Sequence, residues 1–291
     1  MRTARAQSIL WGVVGVLGVA ALWELYKAVA PDEGVTVGSI TVLPRTTDIA
    51  MPHIWDMVTR LFDPVTRAAD ADVLWWAVLQ AAAFSLGIAA LGWVLGVISG
   101  MLLALLMQRW LTAESAVLPW VVLSQTVPLI AIAPLVKRWG TNIHVGSFQW
   151  ENWMSVAVIA SYLAFFPVAV SALRGLKSPP QADTDLFHAY AAGWWTTLIR
   201  LRLPASVPYL MPALKLAAAN AVVGTVVAEV SIGLGGGIGR MIIEFAATAS
   251  GDPAKTWAPI FGAVLIGLLS AGLVALLGRG LGRFRRGEVP A

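Results

Sequence analysis

The sequence predicts an all-α, polytopic membrane protein with about six transmembrane helices. Of its 291 residues, 58% are hydrophobic and 12% charged, a balance that fits no soluble class. Six charge-poor runs are long enough to cross a hydrocarbon core of about 30 Å at roughly 1.5 Å per residue. Fourteen tryptophans fit two interfacial belts, where an amphipathic ring sits at headgroup level. The net charge of +4 comes from Arg near the ends of these runs, so no nucleic-acid partner is expected. With no cysteine, disulfide frameworks, thiolate metal sites and Cys nucleophiles are excluded, and the redox compartment stays open.

The first span runs from Ala6 to Trp23, and residues 1–30 form the first unit of the chain. Arg2 and Arg5 ahead of it, with Ala28-Val29-Ala30 behind, also allow a signal peptide. The stretch is long for that, and Pro31 follows the would-be cut, so an anchor is the better reading. Residues 31–72 read as an outer loop with an interfacial helix. It is acidic, with Asp32, Glu33, Asp48, Asp56, Asp63, Asp70 and Asp72. Residues 73–279 carry the other five spans. The second, Val73 to Gln108, is too long to stand upright, which puts its start, with Trp75 and Trp76, in the interface. The third, Ser115 to Val136, holds Pro119, Pro128 and Pro134 and is expected to be kinked. The fourth runs from Asn152 to Leu173 and the sixth from Thr256 to Gly278. The fifth begins near Pro204, contains Lys215 and reaches Glu229.

Orientation follows from Lys and Arg. Eleven flank the side that holds Arg2, Arg109, Arg174, Arg200 and the tail 280–291 with Arg283, Arg285 and Arg286, against eight spread over longer loops opposite. Both termini are therefore expected in the cytoplasm of a bacterial cell, with the chain multi-pass in the inner membrane.

Catalytic chemistry has little support. His53, His144 and His188 are isolated from one another and from carboxylates at metal-ligand spacing, so no metal site is expected. The run Gly233-Leu234-Gly235-Gly236-Gly237-Ile238-Gly239 fits neither the P-loop nor the dinucleotide spacing and reads as a flexible turn ending the fifth span. The chain therefore has no visible means of hydrolysing ATP, and is not expected to be an enzyme or to hold a cofactor.

The segment between spans four and five, 174–205, is too long for a simple connection. Asp183 or Thr184 can cap a helix with Asp185 in its first turn, Gly193 can end it, a short helix from Trp194 to Arg202 can follow, and Pro204 can open the next. An interfacial hairpin anchored by Trp194 and Trp195 competes with a protein-contact surface. Here the sequence resembles the inner-membrane permease subunits of binding-protein-dependent ABC importers. Their signature is Glu-Ala-Ala, three residues, Gly, nine residues, Ile, one residue, Leu-Pro. Anchored on Leu203-Pro204, it places Leu201 at Ile, Ala191 at Gly and Asp185-Leu186-Phe187 at Glu-Ala-Ala. Ala191 departs from the glycine, and Gly193, after Ala192, is expected to take over the turn. Trp23-Glu24, Leu43-Pro44, the stretch Ser124 to Pro134, and Val226-Val227-Ala228-Glu229 ahead of Gly-Leu-Gly resemble the branch that imports nitrate, sulfonates, taurine or thiamine-type pyrimidines. The outer segment Thr141 to Asn152 is longer than usual for that branch.

The resemblance implies the type I ABC importer permease fold, a homodimer with a shared pathway, and cytoplasmic ABC ATPase subunits that bind ATP and Mg and grip the coupling loop. It also implies a periplasmic or lipid-anchored binding protein that delivers a small polar solute. A gradient-driven secondary transporter is the alternative. It would need an intramembrane relay of ionisable residues, and only Glu24, Lys215 and Glu229 are available. Pathway candidates are the polar residues of spans three and five: Gln125 and Thr126 beside Pro128, and Asn220 and Gly224 on one helical face, with Tyr162 and Phe166 as walls; the alternative is that Asn220 and Gln125 only hydrogen-bond between helices. Glu229, with Thr225 one turn earlier, either lines the outer gate or is a solvated helix-end carboxylate. Lys215 is the one cation well inside a span and can equally snorkel toward the cytoplasmic interface, whereas Tyr162, Phe165 and Phe166 in span four can stack on a planar ring, which inclines the substrate toward a neutral or weakly charged heterocycle over an oxyanion.

Overall fold

The computed structural model describes residues 2–37 and 40–280; the expected tail with Arg283, Arg285 and Arg286 lies outside them. Five described helices are long and apolar enough to cross a membrane, or six when a bent pair counts as one span. The fold is therefore the all-α, polytopic one that the composition predicts. The chain forms two compact units, Met1–Leu79 with Ile242–Phe261, and Gln80–Met241 with Gly262–Ala291.

In the first unit, helix α1 (Arg2–Val29) leads to a hairpin of β1 (Val35–Val37) and β2 (Ile40–Leu43), paired antiparallel with Thr36 opposite Thr41. Gly34 takes φ +73° where the chain turns in. The short helix α2 (Ile54–Arg60) and the start of α3 (Leu74–Arg109) follow. The end of α1 is fastened to this loop by its polar residues. Lys27 Nζ donates to the Thr46 and Met51 carbonyls and to Asp48 Oδ1, at 3.2, 2.6 and 2.7 Å. Its ammonium holds the Asp48 carboxyl below the usual range. That contribution is complete above the unfolded pKa and is lost as pH falls through the lowered one. Glu24, costly in an apolar helix if left alone, accepts from the Ile54 backbone N–H and meets His53 Nδ1, both at 2.8 Å, and so caps α2. Trp23 Nε1 donates to the Pro52 carbonyl, and its ring meets Trp257 edge-on at 5.1 Å. Arg60 pairs with Asp252 at 2.8 Å, and Lys255 Nζ donates to the Val65 carbonyl.

The second unit is built around α6 (Asn152–Leu176), which buries about half its residues between α3 and α9 (Leu203–Ile232). Lipid tails are as apolar as leucine, so these helices gain by close packing, which needs small side chains. Gly92, Gly96 and Gly100 lie four apart on one face of α3. A Cβ at Gly96 would stand 2.6 Å from Ala164 Cβ, and one at Gly100 2.6 Å from the Phe165 carbonyl, so no larger residue fits there. On the other side, Ala160, Ala164 and Val168 pack with Ala217 and Ala221 of α9, and Gly175 abuts Ser206.

Span three corrects the expectation of one kinked helix. It forms α4 (Leu111–Ser124) and α5 (Leu129–Gly140), bent by 105° at a four-residue break. Pro119 and Pro134 lie inside the two helices, and the break falls at Pro128, whose extended conformation suits the start of α5. The segment after α5 is a small hairpin of β3 (His144–Val145) and β4 (Phe148–Gln149), with Trp150 folded onto Gly140. Beyond α9 come α10 (Ile238–Ala247), a 3₁₀ turn (Ala254–Trp257) and α11 (Ala258–Gly280).

The glycine stripe of α3 yields a paired test. Gly96→Leu should force α3 from α6 and lower the thermal midpoint of the purified protein by several degrees. Gly87→Ala, in open space on the same helix, should leave it unchanged or raise it, since alanine favours helix by about 1 kcal/mol. Equal midpoints for Gly96→Leu and the wild type would refute this packing.

Candidate functional site

The segment after α6 is punctuated by proline. Pro180, extended, precedes α7 (Gln181–Ala189), and Asp183 sits in its first turn, where a carboxylate complements the dipole. The helix thus starts earlier than the proposed caps Asp183 and Thr184, and Asp185 lies at its middle. None of α7 is buried, and Leu186 and Tyr190 present apolar surface to the outside.

The turn ending α7 corrects the assignment of Gly193. Ala191 takes φ +52°, the one described non-glycine residue in the left-handed region. Its N–H donates to the His188 carbonyl and that of Ala192 to the Phe187 carbonyl, both at 2.9 Å, which is the Schellman pattern of a helix end. Gly193 is extended and starts α8 (Trp194–Thr197). Alanine therefore adopts the backbone conformation that the signature's glycine would favour, at a cost of about 1–2 kcal/mol.

The second helix of the segment is not separate from span five. α8 passes through a π-helical turn, Leu198–Arg202, directly into α9, all in right-handed helical conformation. Pro204 is the second residue of α9. Lacking an N–H, it cannot bond the Arg200 carbonyl, and the wider π turn absorbs the defect. Trp194 packs against a cluster of Ala104, Met107, Leu173, Leu176 and Leu198, with the Arg109 guanidinium 5.2 Å above its ring. Leu203 packs on the same cluster, and Leu201 is half-buried. Trp195 and Ile199 remain exposed. Lys177, which ends α6, pairs with Glu114 of α4.

The expected pathway residues fall into three separate environments. At the break in span three, the Tyr162 hydroxyl donates to the Ser124 carbonyl beside half-buried Gln125, and exposed Thr126 turns back to the Leu123 carbonyl at 2.8 Å. Phe166 is half-buried on α6, and Phe165 lies 5.9 Å from Tyr162. Asn220 is elsewhere, donating to the Leu163 carbonyl at 3.2 Å. Pro167 removes the N–H that would have met that carbonyl, so Asn220 satisfies an orphaned acceptor between helices. Gly224 is a packing residue, since a Cβ there would approach Ala160 Cα to 3.1 Å. The expected constriction of Gln125, Thr126, Asn220 and Gly224 is thus not assembled within this chain.

Glu229 and Thr225 are fully buried within this chain, so Glu229 is not the solvated helix-end carboxylate that the sequence also allows. Ser85 Oγ lies 2.7 and 2.9 Å from the two carboxylate oxygens and donates to them, while accepting from the Ile238 N–H at 2.9 Å. The Gly239 N–H donates to Oε2 at 2.8 Å, so the carboxylate caps α10. A Cβ at Gly237 would collide with this carboxylate, and one at Gly239 would stand 2.6 Å from Glu229 Cβ. Gly233 ends α9 at φ +71°. The glycine run is therefore a tightly closed turn around a buried acid.

Two substitution pairs follow. Ser85→Ala should leave the Ile238 N–H and one carboxylate oxygen unpaired, lowering stability by about 1–3 kcal/mol, and Gly237→Ala should lower it at least as far. Unchanged melting of Gly237→Ala in detergent would contradict the clamp. Ala191→Gly should raise stability by about 1 kcal/mol and Ala191→Val should reduce it, whereas the opposite order would mean Ala191 is not left-handed.

Against known sequences, residues 92–283 match the family described as binding-protein-dependent transport system inner membrane component. The chain is 35% identical over 189 residues to a formylaminopyrimidine transport permease protein of Halalkalibacterium halodurans, covering 64% of this chain and 69% of that one. It is 28% identical over 197 residues to a putative aliphatic sulfonates transport permease protein of Bacillus subtilis, covering 68% and 67%. It is 26% identical over 224 residues to a nitrate import permease protein of Leptolyngbya laminosa, covering 77% and 74%. With the family match spanning the α3 glycines, α6, the hairpin and Glu229 with its glycine run, the chain belongs to the inner-membrane permease subunits of binding-protein-dependent ABC importers, in the nitrate, sulfonate and thiamine-pyrimidine branch.

Proposed function

We propose that residues 181–203 are the docking element for cytoplasmic ABC ATPase subunits, which bind ATP and Mg and drive the permease. The observation that carries this is left-handed Ala191, which stands at the signature's glycine position and closes a helix with no buried side chain. One side of the hairpin, Trp194 and Leu198, is fastened to the bundle, and the other offers Leu186, Tyr190, Trp195 and Ile199 to a partner. Because α8 continues into α9, a rigid-body movement of that partner passes directly into a membrane span. The hairpin side, with both termini, faces the cytoplasm, as its excess of Lys and Arg favours.

In this reading the permease acts as a homodimer with a shared pathway. A periplasmic or lipid-anchored binding protein hands it a small polar solute, and ATP binding biases inward- and outward-facing states. The formylaminopyrimidine relative and the aromatic pair Tyr162 and Phe165 favour a neutral or weakly charged heterocycle. Polar Gln125 and Thr126, at the break in span three, are the pathway residues this reading retains.

The chain has no cysteine, so single replacements report cleanly. Leu186→Cys and Trp195→Cys, in membranes containing the partner subunits, should crosslink to the ATPase, and charged replacement of Ala191-Ala192-Gly193 should uncouple ATP hydrolysis from uptake. Adducts to lipid alone, with full transport by the replaced hairpin, would identify a membrane anchor instead.

A further inference from the structure

A second feature of the core unit has no place in this mechanism. A groove of about 430 Å³ runs between α3, α9 and α11, lined by Ala89, Ala90, Trp93, Val222, Leu273 and Leu277 among others. Its volume lies in the range of small-molecule sites. The polar groups in its wall are already occupied. Trp93 Nε1 donates to the Leu214 carbonyl at 3.1 Å, and the Ser270 hydroxyl to the Gly267 carbonyl at 2.9 Å. The groove therefore offers chiefly hydrocarbon contact and no free side-chain donor.

A cation stands one helical turn beyond this lining on α9. Lys215 follows Leu214, whose carbonyl holds Trp93, and shares a face of α9 with the lining residues Ala218 and Val222, at spacings of three and seven. Its side chain is exposed, and no carboxylate among the described residues pairs with it. An ammonium within an apolar span is unfavourable without an anion or a path to water. An apolar slot with an unpaired cation one turn beyond its lining is complementary to a molecule with an acyl chain and an anionic head.

We propose that this groove binds an anionic phospholipid, with an acyl chain against Ala90, Trp93 and Leu273 and the phosphate on Lys215. The occupant comes from the leaflet on the side of the α7–α8 hairpin, because α9 runs from that hairpin and Lys215 precedes the lining residues along it. A side chain that merely reaches water, as lysines near span ends do, would need no such partner.

The test is native mass spectrometry of the full-length, delipidated permease titrated with phosphatidylglycerol or with phosphatidylcholine. Wild type should retain phosphatidylglycerol in preference. Lys215→Gln should weaken that binding about fivefold and abolish the preference, the effect of one basic residue at an anionic surface. Lys215→Arg should preserve it, and Ala90→Phe, which fills the groove, should reduce binding of both lipids. Undiminished phosphatidylglycerol binding by Lys215→Gln would overturn the proposal. So would a disulfide between two chains carrying Leu273→Cys, which would show that a second copy covers the groove.

Discussion

The close approach of α3 and α9 to α6 is the constraint on which the rest of this structure depends. Between helices in hydrocarbon there is no water to expel, so adhesion comes from dispersion contacts and the few hydrogen bonds that small residues permit. Gly92, Gly96, Gly100 and Gly224 bring backbones near enough for Asn220 to reach the Leu163 carbonyl and for Ser85 to reach Glu229. Larger side chains would open these gaps, and a buried carboxylate would lose its partners. The polar features of the core are therefore tolerable only because the apolar ones are small.

The first unit solves a related problem by different means. The end of α1 carries Glu24 and Lys27, and both find partners in the loop 46–54, largely backbone groups that would otherwise need water. Glu24 does for α2 what Glu229 does for α10. In each case a carboxylate on a long helix receives one N–H at the start of a short one, that of Ile54 or of Gly239, and so sets where the chain leaves the span.

Much of the fold was readable in the sequence, because span length and the Leu203-Pro204 match are local properties. What escaped is long-range or conformational. Ser85 lies 144 residues from Glu229, so no spacing rule links them, and a carboxylate at the end of a span resembled a solvated one. Asn220 was legible as a helix-to-helix donor, but its acceptor depends on Pro167 in another span. Gly193 drew the helix end by residue type, whereas the Phe187 and His188 carbonyls fix it at Ala191. Prolines announced a disturbance in span three without saying that four residues would turn the chain through 105°. Polar residues in a span serve orphaned backbone groups as readily as a lumen, which is why Asn220 could not be placed from its residue type alone.

The unbroken run from Trp194 to Ile232 is 39 residues, about 58 Å if fully helical, and so nearly twice the thickness of a hydrocarbon core. Asn220 and Gly224 press it against α6 about 39 Å from one end and 18 Å from the other. The grip does not end there: Ala217 and Ala221 pack on α6 and Ser206 abuts Gly175, so from Ser206 to Gly224 α9 is held for about 27 Å, close to the thickness of the hydrocarbon core. The π turn at Leu198–Arg202 interrupts the α-helical winding of this rod between the hairpin and the stretch from Ser206 onward.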